Sequence, residues 1–259
     1  MSLKQVFEEH AGRRFVFVAP GGNQGDMMIY AGAYKLANSV GLKSRHIWCR
    51  RKLPTPKIDA DEVVYIHGGG GFNAWWDRTP QILRQIRMEN PGNIIIVGPT
   101  TVDTDREYLD KALTIDGRMI FFAREKTTYG IIREYYGDAR LDHDTALHLK
   151  LGDRYLDRLV GYLKPRKKFS LLALRDDCES GEVPESIDRE DFDVVVDPCK
   201  SGRWVLLHLN ASRIVTNRSH SAIMGALLGK PTGLFAGSYH KNRSIWEYSL
   251  RDRGVKWVE

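Results

Sequence analysis

The residues best equipped for chemistry lie where apolar runs give way to polar turns. In Val215-Thr216-Asn217-Arg218-Ser219-His220-Ser221-Ala222 a strand-like run passes into a small-residue helix ending at Gly229-Lys230-Pro231. Arg218 and His220 fall at the turn and the first helical residues, where side chains and free backbone N–H groups converge on an anion. Arg175 leaves the apolar run Phe169–Leu174 ahead of Asp176 and Asp177. A guanidinium there suits two-pronged recognition of carboxylate or phosphate. Pro20-Gly-Gly-Asn-Gln-Gly-Asp26 leads straight into a helical pattern, so Asn23 and Asp26 sit at a helix start. Asp26 is either a cap or a ligand-loop carboxylate. Gly68 to Gly71, followed by Phe72 and Asn73, are costly to order and make sense where backbone approaches a ligand, through Gly69 and Gly70. Trp75 and Trp76 follow, suited to a sugar face or to packing. Arg124-Glu125 closes another apolar run and reads equally as a surface ion pair or as a cleft floor. Asp144, in Leu141-Asp-His-Asp-Thr-Ala146, is a helix cap or a further site carboxylate.

Positioning these residues requires strands, and the hydrophobic pattern supplies them. Phe15–Ala19, Ser44–Cys49, Glu62–His67, Asn93–Gly98 and Arg118–Ala123 read as strands. Gly25–Val40, Pro80–Met88, Asp105–Leu113 and Lys126–Tyr136 read as helices between or after them. A second series pairs strands at Phe169–Leu174, Asp193–Val196, Arg213–Thr216, Pro231–Phe235 and Val255–Val258 with helices at Ser201–Asn210, Ser219–Leu228 and Asn242–Arg251. Apolar strands alternating with helices predict parallel sheets covered on both faces. The expected fold is therefore α/β, with two Rossmann-like halves facing a cleft: residues 1–155, and residues 156–259 with the anion-binding turn. Ligands of such sheets bind beyond the carboxyl ends of the strands, where the residues above fall.

Bulk properties narrow the class. No apolar run among the 259 residues reaches the roughly 20 that span a membrane, and the charged N-terminus, MSLKQVFEEHAGRRF, lacks the apolar core of a signal peptide. The chain reads as cytoplasmic. A formal charge of +6 favours anionic ligands and leaves peripheral contact with the inner membrane face open. The densest basic run, Lys164–Lys168, reads as a solvated linker, and no nucleic-acid-binding signature is present. Cys49, Cys178 and Cys199 form no paired spacing, which argues for free thiols and against a zinc site or any other metal centre.

In order, GGNQGD, HGGGGF, AREKTT, DHDTAL, LALRDD and TNRSHSAIMGALLGKP resemble the polysaccharide pyruvyl transferase family over nearly the whole chain. The resemblance implies a GT-B-like architecture and a reaction with phosphoenolpyruvate as donor substrate and no cofactor. The pyruvyl group passes to two hydroxyls of a saccharide, free or lipid-linked, as a cyclic ketal, and phosphate is released. It also implies that Arg218, His220 and, less directly, Arg175 serve the donor. Arg218 and Arg175 would clamp its two anionic groups, His220 would contact phosphate or move a proton, and Asp26 would orient or deprotonate the acceptor hydroxyl, with Asp144 and Glu125 as alternatives. Two other readings stand beside this one. A GT-B glycosyltransferase with a nucleotide-sugar donor would need a ribose-contacting carboxylate such as Asp197 or Asp176. A non-catalytic glycan- or phosphometabolite-binding protein would show gaps in the donor set.

Overall fold

The computed structural model describes residues 1–49, 57–104, 106–112, 118–150, 168–199 and 203–259. They form two compact units: Met1–Gly22 with Ile29–His148, and Asn23–Met28 with Leu149–Glu259. The expected boundary between residues 155 and 156, and the basic run up to residue 167, lie outside the described residues. Among those described, no helix is long and apolar enough to cross a membrane.

The first unit is built on a parallel sheet of six strands in the order β2-β1-β3-β5-β7-β8. They are β1 (Arg14–Ala19), β2 (Lys43–Trp48), β3 (Val63–Ile66), β5 (Ile95–Thr100), β7 (Met119–Ala123) and β8 (Ala139–Leu141). A short pair, β4 (Phe72–Asn73) and β6 (Val102–Asp103), lies apart from it. The side-chain alternation of a strand divides the core into two layers. Val16, Val18, Val64, Ile66, Val97 and Phe121 join α3 (Arg78–Glu89) and α5 (Lys126–Tyr135) on one face. Phe15, Phe17, Tyr65, Ile96 and Phe122 join α1 (Leu3–Glu9) and α2 (Gln24–Ser39) on the other. The α4 helix (Arg106–Ala112) completes the set. The pattern of residues did not lead us to expect α1. It starts with a capping box between Ser2 and Gln5 and drives Phe7 against Phe15 and Tyr65 at ring-centroid distances of 5.6 and 5.2 Å. Burying one such ring contributes roughly 1.5–3 kcal/mol. Strand β2 departs from the expected two-sided burial, because it lies at the sheet edge with most of its residues exposed.

The second unit carries a parallel five-stranded sheet, β10-β9-β11-β12-β13, from β9 (Phe169–Ala173), β10 (Val194–Val196), β11 (Ala211–Thr216), β12 (Thr232–Leu234) and β13 (Val255–Trp257). Among the described residues its α-helices are α6 (Trp204–Asn210), α7 (Ser219–Leu227) and α8 (Lys241–Ile245), the last continuing through a π-helical turn over Trp246–Leu250. Each half is therefore the expected parallel α/β sheet with helices.

Candidate functional site

Arg218 follows the central strand of the second sheet, and the turn that carries it is clamped on all sides. Thr216 Oγ1 accepts the Arg218 N–H at 2.9 Å and donates to the Ala173 carbonyl at 2.7 Å. Asn217 Oδ1 accepts the Arg175 N–H at 2.7 Å, and its carbonyl accepts Asn242 Nδ2 at 2.7 Å. Asn242 Oδ1 takes the Ser219 hydroxyl at 2.7 Å. All of these groups are buried except Arg175, so little water competes for them. Helix α7 then begins at Ser219, and Arg218, in its N-cap position, makes no side-chain capping bond.

The rest of this segment shapes the unit. Gly225 lets α7 close onto Thr232, whose Oγ1 a Cβ would overlap. Gly229, at φ +63°, takes the left-handed turn that ends the helix. Lys230 Nζ donates to the carbonyls of Leu209, at 2.7 Å, and Ala211. The glycines and the lysine of GALLGKP are thus packing and capping residues.

Around Arg218 the strand ends gather three cations and three carboxylates. Arg218 Nη2 donates to Asp197 Oδ2 at 2.5 Å and lies 3.8 Å from Asp177 Oδ2. Arg175 Nε donates to Asp177 Oδ1 at 2.6 Å, and its Nη1 pairs with Glu179. Glu179 also accepts Lys241 Nζ at 2.5 Å and the Tyr239 hydroxyl at 2.9 Å. Burial alone would push the Glu179 carboxyl up; Lys241 and Arg175 outweigh it and hold the group below its usual range. Asp177 is lowered in the same way, with Arg175 overcoming burial. Burial would lower Arg175, and its bond to Asp177 raises it instead. Cys199 lies within electrostatic reach of Arg218, Asp197, Arg175 and Asp26, and burial raises its thiol.

Asn23–Met28, the end of the glycine-rich N-terminal turn with the first residues of α2, belong to the same unit. Asn23 and Asp26 form a reciprocal cap for α2: the Asn23 N–H donates to Asp26 Oδ2 at 2.8 Å, and Asn23 Oδ1 accepts the Gly25 N–H at 2.8 Å. Between them Gly25 faces His220 so closely that a Cβ there would lie 2.7 Å from His220 Cγ. This glycine is required by the imidazole. Asn23, Asp26, Arg218 and His220 are therefore brought together, and Asp177 links them to Arg175. For Asp26 the capping reading is the one the geometry supports.

The remaining expected site residues lie in the first unit, in structural roles. Gly69, at φ +144°, gives its carbonyl to Thr100 Oγ1 and the Thr101 N–H, each at 2.9 Å. The Gly70 carbonyl accepts Asn73 Nδ2 at 3.1 Å, and Gly68 packs on Pro99. These glycines are an ordered seam. Arg124 and Asp144 form an ion pair at 2.9 Å with both side chains 1% exposed, and Arg124 Nε also donates to Thr101 Oγ1 at 2.7 Å. Glu125, fully buried, caps α5 through the Thr128 N–H. The surface-pair reading of Arg124-Glu125 is thereby corrected: the two residues are buried and face different partners. Asp144 caps the turn at Ala146 through Oδ1 at 2.9 Å. His67, the histidine before the four glycines, is a buried core residue stacked on Tyr30 at 4.3 Å, and burial holds its pKa well down. Trp75 and Trp76 remain about half exposed, with both backbone N–H groups tied to Asn73 Oδ1.

Asp177, Glu179 and Lys241 were not singled out from the sequence as site residues, and Asp197 was named only as a ribose contact for a nucleotide-sugar donor. Asp197 stands directly after the apolar run Val194–Val196, the same signal that marked Arg175, and Asp177 stands two residues beyond Arg175. Glu179 and Lys241 carry no such mark.

No protein-family model matches the chain, and no curated protein matches it. A solved structure, that of the functionally uncharacterized protein KP1_0663 from Klebsiella pneumoniae subsp. pneumoniae NTUH-K2044, is similar to it. The TM-score is 0.73 with 20% identical residues, over 99% of this chain and 96% of that one. The likeness is one of fold.

Proposed function

We propose that the chain is a phosphoenolpyruvate-dependent pyruvyltransferase that forms a cyclic ketal on two saccharide hydroxyls. The observation that carries this reading is the pairing of Arg218 and His220 at the start of α7, with His220 seated on Gly25. A guanidinium, an imidazole and a helix start without a side-chain cap are suited to a small phosphorylated anion.

In the reaction, a proton is added to the methylene carbon of phosphoenolpyruvate, leaving positive character on the adjacent carbon. One acceptor hydroxyl attacks that carbon, and the bond to the phosphate oxygen then breaks. The second hydroxyl closes the ring. Of the two hydroxyl protons released, one balances the proton added to carbon and the other leaves with phosphate. Arg218 neutralises charge on the departing phosphate, and His220 transfers the proton. Arg175 acts through Asp177 on the shape of the site, because its Nε and Nη1 are engaged by Asp177 and Glu179. Asp26 holds the helix start beneath His220. Acceptor sugars are tested by following phosphate release from phosphoenolpyruvate. Activity that survives His220→Ala unchanged removes His220 from this scheme.

A further inference from the structure

The donors of Arg218 are unequally used. Its Nη2 is held by Asp197, while its Nε–H, in a residue 6% exposed, has no hydrogen-bond acceptor among the described residues. A buried N–H of a guanidinium without a partner marks a place where an acceptor is missing. Asp197 is fixed from behind, since its Oδ1 accepts the Cys199 N–H at 2.9 Å. Of the three carboxylates in the cluster, Asp177 lies near Arg175 and Arg218, and Glu179 is shared by Arg175 and Lys241. Asp197 pairs with Arg218 alone among the described residues. With all three in place the cluster of Arg175, Arg218 and Lys241 carries no formal net charge. A ligand with both phosphate and carboxylate then meets as much repulsion as attraction.

We propose that Asp197 is an internal anion that occupies Arg218 in the unliganded protein and is exchanged for the anionic group of the ligand, which also accepts the Nε–H. The exchange makes Asp197 a determinant of donor affinity and rests on the reading of Arg218 as the donor-anion residue. Asp177 and Glu179, shared between cations, stay in place and keep Arg175 and Lys241 engaged.

The test is Asp197→Asn, which keeps a carbonyl oxygen for the Cys199 N–H and removes the charge; Asp197→Ser serves if that variant folds poorly. Inorganic phosphate and phosphoenolpyruvate are titrated separately by calorimetry into wild type, Asp197→Asn and the Asp197→Asn/Arg218→Ala double variant. The expected result is binding about tenfold tighter in Asp197→Asn, the scale on which one neighbouring like charge moves an ionic equilibrium, with the gain lost in the double variant. Damage to the fold does not produce a gain in affinity. Equal or weaker binding in Asp197→Asn, or no binding of either anion to any variant, overturns the proposal. Tighter phosphate binding without any binding of phosphoenolpyruvate supports the internal anion and rejects the pyruvyl donor. Equal phosphoenolpyruvate binding by wild type and Asp197→Asn rejects the internal anion and leaves the donor reading standing.

Discussion

Replacing Gly25 with alanine places one carbon against His220. The new Cβ would lie 2.7 Å from His220 Cγ and 2.8 Å from its Cβ, whereas carbon atoms rest at about 3.5–4.0 Å. Either the imidazole or the start of α2 must therefore move by roughly 1 Å. Overpacking of this kind costs about 1–3 kcal/mol, and alanine recovers about 1 kcal/mol of helix propensity. The net loss of stability is about 0–2 kcal/mol, so the variant stays folded. A misplacement of about 1 Å in a positioned group costs on the order of 100-fold in rate. Thermal unfolding and phosphate release from phosphoenolpyruvate should therefore part company, with a small change in Tm and a large loss of turnover. Gly130→Ala is the matched control. It lies within α5 with nothing within 4 Å of the added carbon, and should gain about 0.5–1 kcal/mol with turnover unchanged. Full turnover in Gly25→Ala would refute the claim that His220 must sit where it does.

The other predictions concern each unit separately. His208 is buried in α6 with Nδ1 on the Trp204 carbonyl, and burial lowers its pKa from 6.5 to about 4. A depressed histidine stabilises the fold fully above pH 6.5, and that contribution is lost as pH falls towards 4, roughly 3 kcal/mol in all. His208→Asn should flatten the pH dependence of the denaturant midpoint across that window; an unchanged slope would contradict it. In the first unit, Asp144→Ala strands the Arg124 guanidinium in the core and should cost about 3–5 kcal/mol. A loss below 1 kcal/mol by chemical denaturation would show that the pair is not the buried support described.

Most of the fold was legible because parallel strands are apolar in runs. Val16, Val18, Val64 and Ile66 lie in one layer and Phe15, Phe17 and Tyr65 in the other, as period-two alternation requires. Helix α1, strand β8 and the two-residue strands β4 and β6 were missed, and the first two show why. Helix α1 is short and carries charges on its outer face, so Leu3, Val6 and Phe7 do not stand out as a stripe. Strand β8, Ala-Arg-Leu, is too short and only half buried to mark itself. The rule that function gathers after strands points to Arg218 and His220 as candidates, and the structure seats His220 against Gly25. The same rule also selected Arg124 and Glu125, which lie after a strand and are nonetheless sealed in the core, as is Asp144. Sequence position shows which end of a sheet a residue occupies, and not whether it faces outward there. Arg175 shows a further limit: its Nε and Nη1 pair with Asp177 and Glu179, a pairing set by the path of the loop after β9.

The most direct test of the central claim is calorimetric titration of phosphoenolpyruvate, and separately of uridine diphosphate, into wild type and Arg218→Ala. The account predicts that wild type binds phosphoenolpyruvate, that Arg218→Ala does not, and that uridine diphosphate binds neither. Uridine diphosphate binding without any response to phosphoenolpyruvate would contradict it, as would phosphoenolpyruvate binding that is indifferent to the loss of Arg218.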